Sequence, residues 1–407
     1  MPRVILSAVI LAHALAIASC VSPGRGGDTK PIVIGLYSDL SSTGARDGND
    51  ALKGAQLRVQ EANQARGFAG RTVELKYLDM KQNPTEAVKA YTTLAQDMGA
   101  CVVIGSVVPN AGVAVSPVAD MVKVPLLSLS LDDRVTTPEW KPEALATIGM
   151  VRRFAFLVQP SGSQIASAMA RYATERFPER RYATVFDPAS VLSVMQARSF
   201  ENVVKKAGKV IAVTAEIPVG EADYTPVIAR LRQADVEAVF VCGSSAQSAS
   251  FARKARELSY RPTLIGNQEW YGSMPEQAGD AVEGAYFAMG IAPDDRALGQ
   301  LSERFQAAYG EPPRLSVLPG YEAVGLVLAA VRKAGTVDPQ KVRDALEQIS
   351  GLKGLLSPFD MDRKSHRPID PPVAVIRIIG GRYMTLEPRF VSKPQKASPA
   401  GAQSSSP

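Results

Sequence analysis

Twice along this chain, short apolar runs alternate with segments of helical periodicity, and that alternation restricts the fold more than any other feature. The first series opens with a strand at Pro31–Tyr37. A helix follows at Asn49–Ala65, where Ala51, Leu52, Ala55, Leu57, Val59 and Ala62 recur at helical spacing. Strands Thr72–Leu78, Cys101–Gly105 and Pro125–Leu129 then enclose helices Thr85–Met98 and Ala111–Val122, the latter with Asn110 as its N-cap. The pattern restarts after Gln159–Gly162. Helices Gln164–Arg176, Val191–Lys206, Tyr224–Gln233 and Gln247–Leu258 alternate with strands Tyr182–Phe186, Lys209–Ile217, Ala238–Cys242 and Thr263–Ile265. Helices Leu298–Tyr309, Tyr321–Ala334 and Pro339–Ile349 come next. A hairpin closes the series, Val373–Ile379 and Arg382–Glu387 turning at Gly380-Gly381.

Apolar strands without polar alternation belong to parallel sheets covered on both faces. Two series therefore predict an α/β fold of two doubly wound parallel-sheet lobes, and residues 31–390 are enough for two domains. In open α/β sheets, ligands bind beyond the carboxyl ends of the strands. Those ends carry the polar residues of this chain: Ser38-Asp39, Asp79, Ser106, Ser128–Asp133, Asp187, Gly243–Ser245 and Asn267–Tyr271.

The start of the chain is of another kind. Arg3 precedes an apolar run from Val4 to Ala18, which reads as an export signal. The run is shorter than the ~20 residues of a membrane span. Ile17-Ala18-Ser19-Cys20 resembles a bacterial lipobox. That resemblance implies removal of residues 1–19 and a diacylglycerol on the Cys20 thiol, anchoring the chain to a membrane. An ordinary cleaved signal with Cys20 incidental is the alternative. Val21 stands where enteric-type sorting places the aspartate that retains lipoproteins at the inner membrane, which points to the outer membrane in a cell that has one. Residues 20–30 read as a flexible tether and 393–407 as a disordered, Pro/Ser/Ala-rich tail.

Composition excludes several activities. Beyond the signal only His366 remains, so neither a His-based triad nor a multi-His metal site is expected. Cys101 and Cys242 lie in apolar runs and read as small buried hydrophobes. No Gly-x-Gly-x-x-Gly follows a strand, so no cofactor is indicated. The net charge of +6 is spread along the chain without a basic block, which argues against nucleic acid as a partner. A binder without catalysis is the expectation.

The ordered pieces Ile34-Gly35, Thr43-Gly44, Gly48, Gly54-Ala55, Glu61-Ala62-Asn63, Gly67-Phe68-Ala69-Gly70, Asp79 and Pro84 resemble the type I periplasmic binding proteins, in their leucine/isoleucine/valine-binding branch. Gly351–Gly354, Phe359-Asp360 and Gly380–Tyr383 resemble its closing segment. The likeness runs over about residues 31–388. It implies lobe I from residues 31–157 and 289–360 and lobe II from 158–288 and 372–390. Crossings are expected near Leu157–Gly162, Phe287–Ile291 and Asp360–Pro372. It further implies a small-molecule ligand between the lobes and an ABC permease of the branched-chain amino acid class as partner. A ligand-sensing or scaffolding lipoprotein with a protein partner is the alternative use of the same fold.

The resemblance also places ligand contacts. The serine that grips the ligand carboxylate falls at Pro109, which has neither N–H nor hydroxyl; Ser106 and Asn110 are the substitutes. The family's small-small-threonine segment falls on Ser130, Leu131 and Asp132. Tyrosines of the second lobe fall on Val191 and Ser244, and the acidic partner of a ligand ammonium falls on Gln268, beside Glu269. Asp132 and Asp133 are either ligand contacts or a solvated turn. Trp270 and Tyr271 either stack on a ligand or pack the rim, and Trp140 reads as a loop anchor. Replacing so many bonding groups removes the preference for a standard α-amino acid.

Overall fold

Strand β1 (Ile32–Ser38) pairs in parallel with both β2 (Val73–Asp79) and β3 (Val102–Gly105), and burial on both faces accounts for its unbroken apolar run. The computed structural model describes residues 30–391 except 66–67, 69, 139–149, 218–219, 221–222 and 356–358. The signal, Cys20, the tail after 393 and Trp140 lie outside the described residues. Strands β4 (Leu126–Ser128) and β5 (Ala155–Leu157) complete a five-stranded parallel sheet in the order β2-β1-β3-β4-β5. Helices α1 (Arg46–Gln64), α2 (Pro84–Thr92) and α3 (Pro109–Val122) connect these strands. Val108, not Asn110, is the N-cap of α3. Pro109 occupies the first turn, where its missing N–H costs nothing, and Asn110 lies inside the helix.

The second lobe begins with α4 (Gly162–Arg176), β6 (Arg181–Phe186), α5 (Val191–Lys206) and β7 (Val210–Glu216). It continues with α6 (Thr225–Gln233), β8 (Ala238–Cys242), α7 (Ser245–Glu257), β9 (Thr263–Gly266), α8 (Met274–Ala278) and β10 (Tyr286–Met289). The chain then returns to the first lobe as α9 (Arg296–Tyr309), α10 (Val317–Ala334) and α11 (Pro339–Leu346). There Ala323, Val324 and Val327 of α10 share a core with Ala51, Leu52 and Ala55 of α1. A small hairpin, β11 (Met361–Asp362) and β12 (Arg367–Pro368), precedes the last pair, β13 (Val373–Ile379) and β14 (Arg382–Phe390). That pair adds antiparallel strands to the second sheet, whose order is β14-β13-β10-β9-β8-β6-β7.

The chain thus passes between lobes after β5, after β10 and through the β11–β12 hairpin. These passages are tied together. Ser161 caps α4 in a reciprocal box with Gln164, and its hydroxyl donates to Asp133 Oδ1 at 2.8 Å. Arg367, on the third passage, pairs with the same carboxylate. Gln164 Nε2 donates to the carbonyl of Pro368 at 2.7 Å, and Leu157 N to that of His366 at 3.0 Å.

Candidate functional site

The facing carboxyl ends of the two sheets leave a cavity of about 650 Å³. Its first-lobe wall includes Arg46 and Asp47 at the start of α1, Val107 after β3 and Leu131 after β4. Its second-lobe wall includes Ile165 of α4, Gln268 and Tyr271 after β9, and Met289 ending β10. Gln159 and Ile291, on the first two passages, also line it.

Of the expected contacts, Leu131, Gln268 and Tyr271 stand on this wall. Ser106, Ser130 and Asp132 do not: each is 0% exposed. Their side chains stabilise their own loops. Ser106 Oγ accepts from Val108 N at 3.1 Å and Ser130 Oγ from Asp132 N at 3.0 Å. The Asp132 carboxylate caps the following turn at Arg134 N, 2.9 Å away, and is gripped by the Arg134 guanidinium at 2.7 Å. Asp133 is 0% exposed as well, so neither aspartate belongs to a solvated turn.

Asn110, Val191 and Ser244 stand at the starts of α3, α5 and α7 and are not among the residues that line this cavity. Ser244 is the N-cap of α7 and forms a reciprocal box with Gln247. Ser244→Ala is therefore expected to lower stability by about 1 kcal/mol in urea unfolding and to leave ligand-induced stabilisation unchanged. A lost ligand response at unaltered stability would restore the binding role.

Trp270 is 0% exposed and cannot stack on a ligand. Its indole lies over Gly266, where an added Cβ would come within 2.2 Å of the ring. Tyr271 is 38% exposed, with its ring 5.2 Å from that of Tyr383. Glu269 accepts from Gln268 Nε2 at 3.4 Å. Withdrawal from water raises its carboxyl above the usual carboxylate range, and the negative charge of Asp47 in the opposite lobe adds to this.

Arg46, Asp47, Gln159, Ile165 and Met289 escaped the sequence reading. The helix after β1 was expected from Asn49, which left Arg46 and Asp47 in a loop. Met289 lies in a strand that was expected to be a crossing. Arg314, also on the wall, is held by Asp50 at 2.7 Å, and Ser316 Oγ donates to the same carboxylate at 2.7 Å. Arg46 has no ion pair among the described residues.

Known proteins share this fold. The chain is 26% identical over 342 residues to the leucine-, isoleucine-, valine-, threonine- and alanine-binding protein of Pseudomonas aeruginosa, covering 82% of this chain and 86% of that one. The branched-chain amino acid transporter substrate-binding protein LivJ of Streptococcus pneumoniae, solved with isoleucine, superposes with a TM-score of 0.69 at 22% identity, covering 88% of this chain and all (100%) of LivJ. A solute-binding protein of an ABC transporter from R. palustris, solved with benzoate, superposes with a TM-score of 0.66 at 20% identity, covering 89% and 98% of the two chains. Among the described residues no helix is long and apolar enough to cross a membrane. Residues 31–382 match the sequence profile of the family described as Periplasmic binding protein, and the chain belongs to that family.

Proposed function

We propose that the protein captures a small metabolite, an amino acid or a related compound, in the interlobe cavity and delivers it to an ABC permease of the branched-chain amino acid class. The observation that carries this reading is a cavity lined by residues of both lobes and of the first two passages between them. Such a site is complete only when the lobes close, so binding energy is available to drive hinge closure. The units that move are residues 31–157 with 290–360 and residues 158–289 with 372–390, the boundary falling after β10. Cys20 carries the lipid that holds the mature chain at a membrane, the outer one where two exist. The protein releases its ligand unchanged and is not an enzyme.

A cognate ligand at a hundred times its Kd should stabilise the fold by about 2.7 kcal/mol and reduce the radius of gyration measured by small-angle scattering. Thermal unfolding and scattering against amino acids, amides, polyamines and aromatic acids test both effects. A panel in which nothing raises the melting temperature or compacts the protein overturns capture.

A further inference from the structure

Behind the cavity wall, a row of buried polar groups runs from the end of β8 to Gln268. Cys242 is 0% exposed, and burial pushes its thiol up to about 12, so it remains S–H and donates. Its Sγ lies 3.1 Å from Gln196 Oε1. Asn267 Nδ2 donates to the same oxygen at 3.2 Å. Gln196, on α5, is also 0% exposed. With its carbonyl committed to these two donors, its Nε2 faces outward and donates to Gln268 Oε1 at 2.6 Å.

We propose that this row fixes the hydrogen-bonding polarity of the cavity: Cys242 and Asn267 orient Gln196, Gln196 orients Gln268, and Gln268 presents N–H, so that the site selects a small apolar-bodied ligand bearing a carboxylate or carbonyl. The proposal rests on the cavity being the ligand site. An amide has one accepting and one donating end. Turning Gln196 over would set its NH₂ against the S–H of Cys242 and the Nδ2 of Asn267; Asn267 Nδ2 would keep the Gly243 carbonyl at 3.4 Å and Cys242 Sγ at 3.5 Å, but the Cys242 S–H would lose its acceptor. Gln268 inherits that constraint. Its carbonyl accepts from Gln196, one N–H goes to Glu269, and the other is left for a ligand acceptor. Further donors stand nearby. The Tyr271 hydroxyl makes no hydrogen bond among the described residues, and Arg46, across the cavity, makes no ion pair. Val107, Leu131, Ile165 and Met289 supply the apolar surround.

Two measurements test this. Neutron diffraction from ligand-free, deuterated crystals should place deuterons of Gln196 Nε2 toward Gln268 Oε1 and the Cys242 deuteron toward Gln196 Oε1. Titration calorimetry then compares carboxylates with amines of the same skeleton, 4-methylpentanoate with 4-methylpentylamine and 3-phenylpropanoate with 3-phenylpropylamine. The carboxylates should bind more tightly, and Gln196→Met should shrink that preference about tenfold while unfolding stays cooperative. Reversed amides, an amine preference, or a preference unmoved by Gln196→Met overturns the proposal alone. If no compound in either panel binds or compacts the protein, the capture reading falls and takes this one with it, whatever the amide orientation.

Discussion

Gly320→Ala is expected to destabilise the first lobe by about 3 kcal/mol or more, a loss of roughly 10 °C in melting temperature at about 2–4 °C per kcal/mol for a unit of this size. The cause is a contact of backbone on backbone. A Cβ at Gly320 would lie 1.9 Å from the carbonyl oxygen of Ala51 and 2.7 Å from its carbon. The contact is reciprocal, since a Cβ at Gly54 would lie 2.1 Å from the carbonyl oxygen of Val317. No side chain can swing aside, so α1 and α10 must move apart. Ala51, Leu52 and Ala55 then lose their packing against Ala323, Val324 and Val327. Gly299→Ala on α9 is the control. Nothing lies within 4 Å of the added atom, and the helix gains about 0.5–1 kcal/mol from lower backbone entropy in the unfolded chain. Calorimetry of the two variants should give shifts of opposite sign. Tolerance of alanine at position 320 to within about 0.5 kcal/mol would mean that the helices are not in backbone contact.

That same glycine explains one limit of the sequence. The helix was expected from Tyr321, yet α10 begins at Val317 and takes in Pro319-Gly320. Proline is harmless in a first turn and the glycine is required by the neighbouring helix, but neither fact is visible without that neighbour. The sheet alternation was legible because strands buried on both faces need no polar positions, and β1, β3, β6 and β8 fall within about a residue of where their apolar runs place them. The strands β5 and β10 were missed: with three and four residues they show no period, and they lie where the chain leaves a lobe. Site residues fared worse for a physical reason. A polar residue at a strand end can face the ligand or cap its own loop, and Ser106, Ser130 and Asp132 cap. The partners that bury Asp132 and Asp133 are Arg134, two residues on, and Arg367, at a sequence separation of 234. Only the first could have been seen by inspection. The Trp270 reading had an available correction, because a glycine four residues earlier offers a seat for a large ring.

Asp133→Ala should cost about 3–5 kcal/mol and should also loosen the relation between the lobes. Asp133 is 0% exposed and joins three parts of the chain. It lies in the turn after β4, takes the hydroxyl of Ser161 at 2.8 Å and the amide of Ser163 at 3.3 Å at the start of α4, and pairs with Arg367 of β12. Arg367 is spread over the same region, its Nε 2.9 Å from Thr136 Oγ1 and one Nη 2.6 Å from Thr137 Oγ1. Removing the carboxylate strands a guanidinium that is largely withdrawn from water, and the uncompensated charge, more than the lost attraction, sets the size of the effect. Replacing both partners should therefore be milder than the sum of the single changes: Asp133→Ala with Arg367→Met leaves no buried charge. Asp133→Asn, which keeps the shape and loses the charge, should fall between wild type and alanine. Because Ser161 and Arg367 sit on the first and third passages between the lobes, the alanine variant should also show a broader distribution of interlobe distances in spin-label measurements at temperatures where it is still folded. An unchanged distribution beside a large stability loss would confine Asp133 to holding its own turn, and an additive double variant would show that Arg367 is not its partner in solution.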